Sequence, residues 1–336
     1  MKIANWNIEW MNHWFSPDSE QPVLRPSDQV RGVTDIRDLC ERVARVIDSL
    51  DADVLTVQEG PSRRAEMQLF VSEFLDDRYQ VIGPSGKGQQ KLYALIRTGG
   101  AAENPARVDE PGNIRFEAPF LVDVDGDLTL TDYEMTREPL LLEVTDAASG
   151  RRLHLINLHL KSKYVHMGER LWRDPATRPD FVRAAMLARR RISAEAMYVR
   201  RYLDELLDAN IERAVVVMGD LNDGPGSDYF ERHYLTHNLV AMLVGNPFEP
   251  PKMFRHGFID RELRERNFTA IFDDFIDDID DRKILLDHIL LSPGIYWDLI
   301  DGRVEHDAFD AEIDHAADAG SRQRLPSDHR PQSVTF

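Results

Sequence analysis

The sequence has 336 residues, of which 42% are hydrophobic and 30% are charged, and its formal net charge is -18. This length and apolar content are enough for a sizeable buried core. The acidic balance argues against a protein that coats nucleic acid through its overall charge, but not against an enzyme that binds phosphate locally. No window approaches the roughly 20 apolar residues that a membrane-spanning helix needs.

Cysteine content and the start of the sequence bear on location. Cys40 is the only cysteine, so an intrachain disulfide is impossible, and no secretory signal is visible after Met1. A cytoplasmic location is therefore the expectation. A secreted protein whose signal has been removed is the alternative.

The predicted elements alternate between strands and helices along the chain. Residues 2–8 are predicted to form the first strand, and apolar residues spaced three or four apart predict a helix over 36–50. A long apolar stripe predicts another helix over 184–206. Further strands are predicted over 53–57, 92–96, 140–144, 153–160, 214–218, 284–291 and 332–336. The mixture predicts an α/β protein, and because no repeat or linker interrupts it, we expect a single domain over residues 1–336.

Two segments do not follow this alternation. Residues 99–135 are rich in Gly, Pro and acidic residues and are expected to form loops and a hairpin. Residues 273–281 contain six aspartates. They lack the Gly and the terminal Glu of a calcium-binding EF-hand loop, so a solvated acidic loop is the expectation.

Acidic and amide side chains stand at or near the ends of several predicted strands. Asp220 and Asn222 directly follow a buried strand, where both could reach one phosphate or one hard cation. An Asx-rich turn explains that pair equally well. Asp287 stands in an apolar strand, where a buried carboxylate is energetically costly unless it is paired. A histidine would be a suitable partner, because the Asp287 carboxylate would fix the tautomer of its ring. His288 points to the opposite strand face and is expected to be structural.

Basic side chains accumulate after another strand. His159 is followed by Lys161 and Lys163, and Arg137 precedes a strand of its own. Between Lys161 and Arg201 there are 11 Lys and Arg against 4 Asp and Glu, a local charge of +7. Arginine suits bidentate binding of phosphate. A surface whose charges pair with nearby acids is the alternative.

Taken in chain order, these motifs resemble those of the endonuclease/exonuclease/phosphatase superfamily, and of deoxyribonuclease I in particular. The shared motifs are Lys2-Ile3-Ala4-Asn5-Trp6-Asn7-Ile8, Gln58-Glu59, Arg137-Glu138-Pro139, Asn157-Leu158-His159, Gly219-Asp220-Leu221-Asn222 and Ser327-Asp328-His329. His-Leu-Lys-Ser-Lys at 159–163 and Leu-Asp-His-Ile-Leu at 286–290 also resemble a branch of bacterial extracellular nucleases. The resemblance implies a four-layer α/β sandwich, in which two mixed β-sheets pack face to face with helices outside.

The resemblance also implies a role for each motif residue. Glu59 would be the main metal ligand, supported by Asn7 and Asp328. Asp220 and Asn222 would hold the attacking water, the phosphate or a second metal. His329, oriented by Asp287, would contact the scissile phosphate and is a candidate general base. Arg137 and His159 would bind phosphate oxygens. The local charge of +7, rather than the resemblance, suggests that Lys161 and Lys163 extend that contact along a nucleic-acid backbone.

The function that the resemblance implies is hydrolysis of a phosphodiester by a water that a divalent metal activates. Mg²⁺ is the expected cofactor, with Mn²⁺ or Ca²⁺ as alternatives. The leading substrate is nucleic acid, DNA before RNA, cut by an endonuclease. The alternatives are a phosphatase or phosphodiesterase of small or lipid phosphate esters, of the inositol phosphate or sphingomyelin type, and a binding protein with a dead site.

One position departs from the deoxyribonuclease I pattern. By sequence position, we expect Gln90 to occupy the place of the carboxylate that would orient His159. We therefore expect His159 to lack a carboxylate partner and to bind phosphate or metal rather than act as a strong general acid.

Overall fold

The computed structural model describes residues 1–108, 114–224, 226, 228–235, 238–259, 264–318 and 320–336. The strands are β1 (Lys2–Asn7), β2 (Val54–Gly60), β3 (Tyr79–Ser85), β4 (Lys91–Arg97), β5 (Ala102–Arg107), β6 (Phe120–Val122), β7 (Thr131–Tyr133), β8 (Leu140–Asp146), β9 (Arg152–His159), β10 (Ala214–Asp220), β11 (Arg255–His256), β12 (Ala270–Asp274), β13 (Ile279–Ile284), β14 (Asp287–Leu291), β15 (Asp301–Val304) and β16 (Gln332–Thr335). The helices are α1 (Ile36–Leu50), α2 (Arg64–Phe74), α3 (Gly168–Arg173), α4 (Arg178–Ala209), α5 (Tyr229–Tyr234), α6 (Leu239–Val244), α7 (Pro293–Tyr296) and α8 (His306–Asp310).

Two six-stranded sheets form the centre of the molecule. The first has the strand order β15-β16-β1-β2-β4-β3 and the second has the order β11-β14-β10-β9-β8-β5. Both sheets are mixed, because β1 with β2 and β9 with β10 are parallel while their other neighbours are antiparallel. Two small hairpins, β6-β7 and β12-β13, stand outside these sheets.

The core is divided into layers that follow from the strand patterns. Apolar residues of both sheets, among them Ile3, Ala94, Leu155 and Met218, form one cluster between the sheets. The outer face of the first sheet packs on α1 and α2, and the outer face of the second packs on α4 and α6. Strands that are buried on both faces read as continuous apolar runs, as Ala214–Met218 does. The predicted four-layer sandwich, two mixed sheets face to face with helices outside, is confirmed.

Most of the predicted elements are present, with differences at their ends. Helix α4 extends beyond both predicted ends, from Arg178 to Ala209. The strand predicted over 284–291 was wrong in its extent, because β13 ends at Ile284 and pairs with β12, whereas β14 begins at Asp287 and pairs with β10. The hairpin expected within 99–135 is β6-β7.

The aspartate-rich segment 273–281 differs from the solvated loop that we expected. It forms most of the β12-β13 hairpin. Arg282 compensates part of its charge by pairing with Asp274 and, at 2.8 Å, with Asp277. Across the described residues, no helix is both long and apolar enough to cross a membrane.

Candidate active site

Three neighbouring strand ends place the central side chains of the site side by side. Strand β10 lies between β9 and β14, and its last residue, Asp220, is in register with His159 on one side and Asp287 on the other. All three side chains are almost completely buried. Gly219 allows this arrangement, because its φ is +141° and a Cβ there would meet the Leu158 carbonyl oxygen. The sheet itself therefore assembles a histidine and two carboxylates.

His329 reaches this cluster from the segment before β16. Its Nδ1 donates a hydrogen bond to Asp287 Oδ2 over 2.7 Å, and both side chains are buried. The backbone is fixed on either side, because Trp6 Nε1 donates to the His329 carbonyl over 2.8 Å and the His329 amide donates to Ser327 Oγ over 3.1 Å. The expectation that Asp287 orients His329 agrees with this contact, which leaves Nε2 for a second partner.

Clustered carboxylates shift the pKa values of these groups in opposite directions. Burial raises the pKa of Asp220 to about 7, the Asp287 carboxylate adds to that rise, and His329 opposes it. Burial alone would lower the pKa of His329, but Asp287, Asp328 and Asp220 together raise it well above its usual value. Burial, followed by Arg137 and His329, lowers the pKa of His159 well below its usual range. These surroundings favour the neutral form of His159 and the protonated form of His329.

Glu59 comes to the site from the other sheet. It lies at a bulge near the end of β2 with a φ of 56°, a left-handed conformation that a glutamate rarely adopts. Its Oε2 accepts hydrogen bonds from the Trp10 amide over 2.9 Å and from Gln90. Its Oε1 lies 3.8 Å from His159 Nε2, which is also 3.5 Å from Asp220 Oδ2. Burial and then the Asp328 carboxylate raise the pKa of Glu59.

Gln90 does not lie where the sequence suggested. Its side-chain amide bridges Glu59 and Arg137, accepting from the Arg137 guanidinium over 2.7 Å. The carboxylates near His159 are instead Glu59 and Asp220, both on the Nε2 side. The expectation that His159 lacks a carboxylate neighbour was therefore wrong, although its buried Nδ1 has no hydrogen-bond partner among the described residues.

Arg137 is placed to meet an anion. One of its terminal nitrogens is held by Gln90, and the other, Nη1, is buried without a hydrogen-bond partner in the part of the chain that the structure describes. The positive charge of Arg137 opposes the rise in the pKa of Glu59 that burial causes. The same charge adds to the fall in the pKa of His159. A buried guanidinium nitrogen that lacks a partner is costly, and a phosphate oxygen would satisfy it.

Two of the motif asparagines, Asn7 and Asn222, are held by Asp220. Asn7 Nδ2 donates to Asp220 Oδ2 over 3.0 Å, which joins the first sheet to the second. Asn222, whose φ is 52°, donates its backbone amide to Asp220 Oδ1 over 2.7 Å and its side chain to the Leu160 carbonyl over 3.0 Å. This is the Asx-type turn given as the alternative from the sequence, but it also presents Asn222 to the adjacent cleft. Asp328 remains more than half exposed at the rim, 3.8 Å from His329 Nε2.

The residues present fit a divalent cation. Oxygen or nitrogen atoms of Asp220, Asp287 and His329 lie within 4.8 Å of one another, and Asp287 Oδ1 is buried without a hydrogen-bond partner among the described residues. Glu59 adds a further desolvated carboxylate on the opposite sheet. Hard cations prefer such oxygen donors, and so many buried carboxylates are costly without one.

The two lysines after His159 have different surroundings. Lys161 lines a shallow hollow of about 360 Å³ together with Arg191 and Tyr133. Lys163, expected to bind phosphate, instead pairs with Asp223 Oδ1 at 2.5 Å and with Asp228 Oδ2 at 3.3 Å. A phosphate would have to compete with these two carboxylates. His288 is structural as expected, since it donates from Nε2 to the Asp223 carbonyl over 2.7 Å.

Two glutamates that the sequence did not single out support the site. Glu9 Oε2 pairs with Arg322 at 2.6 Å and accepts the Asp328 amide over 2.9 Å, so it fixes the Ser-Asp-His segment. Glu195 of α4 is fully buried and accepts the backbone amides of Thr136 and Lys161, each over 2.9 Å. It thereby ties the residue before Arg137 to the segment after His159. Neither has a motif that distinguishes it from an ordinary surface glutamate.

Comparison with known proteins supports this architecture. No protein-family model matches the sequence, and no curated protein matches it. Among solved structures, a D. rerio TDP2 humanized by 14 mutations matches with a TM-score of 0.53 and 15% identity, covering 100% of this chain and 99% of that chain. A mannosyl-6-phosphatase from Bacteroides thetaiotaomicron matches with a TM-score of 0.51 and 14% identity over 100% of this chain and 98% of its own. An endonuclease/exonuclease/phosphatase family protein from the same organism matches with a TM-score of 0.51 and 15% identity, covering 99% of this chain and 96% of that chain. The chain therefore shares its fold with these structures, and this is the fold that the motif resemblance implied.

Proposed function

We propose that this protein is a divalent-metal-dependent phosphoesterase that hydrolyses a phosphodiester. The observation that carries the proposal is the meeting of Asp220 with His159 and the Asp287–His329 pair at three adjacent strand ends. Buried groups whose pKa values are pushed in opposite directions are typical of acid–base sites. The phosphatase among the structural neighbours is named for action on a sugar 6-phosphate, which also supports phosphoester chemistry for this site.

We expect Glu59 to be the main ligand of a divalent cation, with Asn7 and Asp328 in support. Asp220, which lies close to Asp287 and His329, offers a further buried carboxylate to the same ion or to a second one. A bound cation of this kind neutralises charge on phosphate oxygens and lowers the pKa of a neighbouring water. We propose Mg²⁺ as the ion, with Mn²⁺ and Ca²⁺ as alternatives that the experiment below compares.

The protein's own side chains would bind the phosphate and move the proton. Arg137 offers its unpartnered nitrogen to one phosphate oxygen, and neutral His159 can donate from Nε2 to another. Asp287 keeps the proton of His329 on Nδ1, which leaves Nε2 to contact the scissile phosphate. The three carboxylates around His329 favour its imidazolium form, which donates a hydrogen bond, whereas a role as general base needs the neutral ring.

The proposal for the substrate has a general and a specific form. In the general form the substrate is any phosphodiester, and in the specific form it is DNA that an endonuclease cuts. The specific form requires cationic side chains that lie along the DNA backbone. Arg189 and Lys163 are both paired with Asp228, and Arg200 is paired with Asp204, so part of the local charge of +7 between Lys161 and Arg201 is compensated by acids outside that segment. This compensation favours a small phosphodiester over a long polynucleotide.

A substrate panel tests the proposal. Plasmid DNA, single-stranded DNA, RNA, inositol phosphates, sphingomyelin and bis(p-nitrophenyl) phosphate would each be offered with Mg²⁺, Mn²⁺ or Ca²⁺. We expect metal-dependent hydrolysis of at least one ester and its loss with chelator. Absence of hydrolysis of every ester with every metal would contradict the proposal and favour a binding protein with a dead site.

A further inference from the structure

A large apolar cleft opens beside the proposed active site. It has a volume of about 850 Å³ and is bounded by α3, the first half of α4, α5 and the β12-β13 hairpin. Asn222 and Asp328 line both this cleft and the proposed site, so the two are continuous. The volume falls in the range of roughly 300 to 1,000 Å³ that is typical of small-molecule sites.

Aromatic side chains form much of the cleft wall. Six of them line it: Tyr164, Phe181, Tyr229, Phe230, Phe272 and Phe275. At the back of the cleft Phe181 makes edge-to-face contacts with Phe230 at 5.9 Å and Phe275 at 5.7 Å between ring centroids. Nearer the rim, Phe272 is 43% exposed. An apolar surface that remains open to solvent beside a polar site is a candidate for binding the organic part of a substrate.

The charged residues of the cleft do not suit a polyanion. Its four cationic side chains are Lys163, Arg170, Arg189 and Arg282, against five acids, Glu169, Asp228, Asp273, Asp274 and Asp328. Three of the four cations are already paired with aspartates. A chain of phosphates would therefore meet a slightly acidic surface. An uncharged group would meet no such penalty.

We propose that this cleft binds an aromatic ring carried by the phosphoester substrate. The inference rests on the proposed function, because the phosphate itself must lie at Arg137 and His159. An uncharged flat ring can extend the edge-to-face cluster of Phe181 and its neighbours, since aromatic rings prefer offset or edge-to-face contacts. The ring could be a nucleobase or an aryl alcohol esterified to the phosphate, and the two sources differ in what links ring and phosphorus.

Binding of four small probes to the metal-loaded protein tests the inference. Phenylphosphonate is compared with methylphosphonate, and thymidine 5′-phosphate with deoxyribose 5-phosphate, by calorimetry and as inhibitors of bis(p-nitrophenyl) phosphate hydrolysis. We expect the ring to improve binding at least about tenfold in one of the two pairs. The pair that shows the improvement identifies the source of the ring.

Matched phenylalanine variants locate the effect. Phe272→Ala should reduce the preference for the ring by about threefold or more. Phe248→Ala should leave it unchanged, because Phe248 is 91% exposed and does not line the cleft. Equal binding with and without the ring in both pairs, or an equal effect of the two variants, would overturn the inference even if the ester is hydrolysed. Loss of all hydrolysis together with intact ring-dependent binding would instead contradict the proposed function alone.

Discussion

Replacing Asp287 by asparagine tests whether Asp287 and His329 act as one unit. The substitution keeps the size of the side chain but removes the charge that holds the Nδ1 proton of His329 over 2.7 Å. A hydrogen bond to a charged group contributes about 1.5 to 3 kcal/mol, and both partners here are buried, so solvent screening is small. If that energy is lost in the transition state, kcat should fall roughly 10- to 150-fold.

The assay for this prediction is a double-mutant cycle on kcat/KM for the best ester of the substrate panel. Residues that act together give non-additive losses, so Asp287→Asn combined with His329→Ala should cost little more than His329→Ala alone. Asp53→Asn is the matched control, because Asp53 is also buried but lies at the opposite end of β2 from Glu59, where it pairs with Arg97 at 2.9 Å. Losses that multiply fully would refute the reasoning.

The remaining predictions concern the supports of the site and the surrounding charges. Glu195→Gln should lower the free energy of unfolding by about 1 to 3 kcal/mol. The two carboxylate oxygens of Glu195 accept one backbone N–H each, and the glutamine side chain has only one oxygen. An unchanged denaturant midpoint would contradict this prediction. If the substrate is a polynucleotide, Lys161→Gln should reduce the slope of log affinity against log salt concentration by roughly 0.7 to 0.9. Lys163→Gln should leave this slope unchanged, because Lys163 is paired with aspartates. Equal slopes for the two variants would contradict the prediction. Burial lowers the pKa of His154 to about 4, so the folded protein resists protonation that the unfolded chain accepts below about 6.5. As the pH drops from 7 to 4, the free energy of unfolding should therefore fall by up to about 3 kcal/mol more in the wild type than in His154→Gln. Equal losses in the two proteins, measured by denaturant titration at each pH, would count against this prediction.

The sequence predicted the residues of the site better than their mutual contacts. Motif residues such as Asp220 and Asp287 could be assigned because a carboxylate after or within an apolar strand is unusual, and strand pairing then brings them together. The contacts of Gln90 and Lys163 could not be predicted, because each involves a partner that is distant in sequence. Gln90 contacts Arg137, and Lys163 contacts Asp228.

The same reason explains the differences in the fold. Apolar patterns identified most strands of the two large sheets, and the motif resemblance implied their arrangement as two sheets. Neither showed that Ile284 belongs to β13 and pairs with β12, whereas β14 begins only at Asp287. The aromatic cleft is assembled from four separate elements whose apolar residues read individually as ordinary core. Glu195 likewise resembles any helix glutamate until its two backbone partners are known. That the chain forms one domain stays a prediction.

Calorimetric titration of Mg²⁺ and Mn²⁺ into the purified protein tests the central claim most directly. A site that holds a divalent cation through Glu59 predicts saturable binding and a rise in melting temperature with metal, both strongly reduced in Glu59→Gln and retained in Asp53→Asn. The same metal concentration should support hydrolysis of the ester. Equal metal affinity in Glu59→Gln and the wild type, or full turnover in the presence of chelator, would contradict the account.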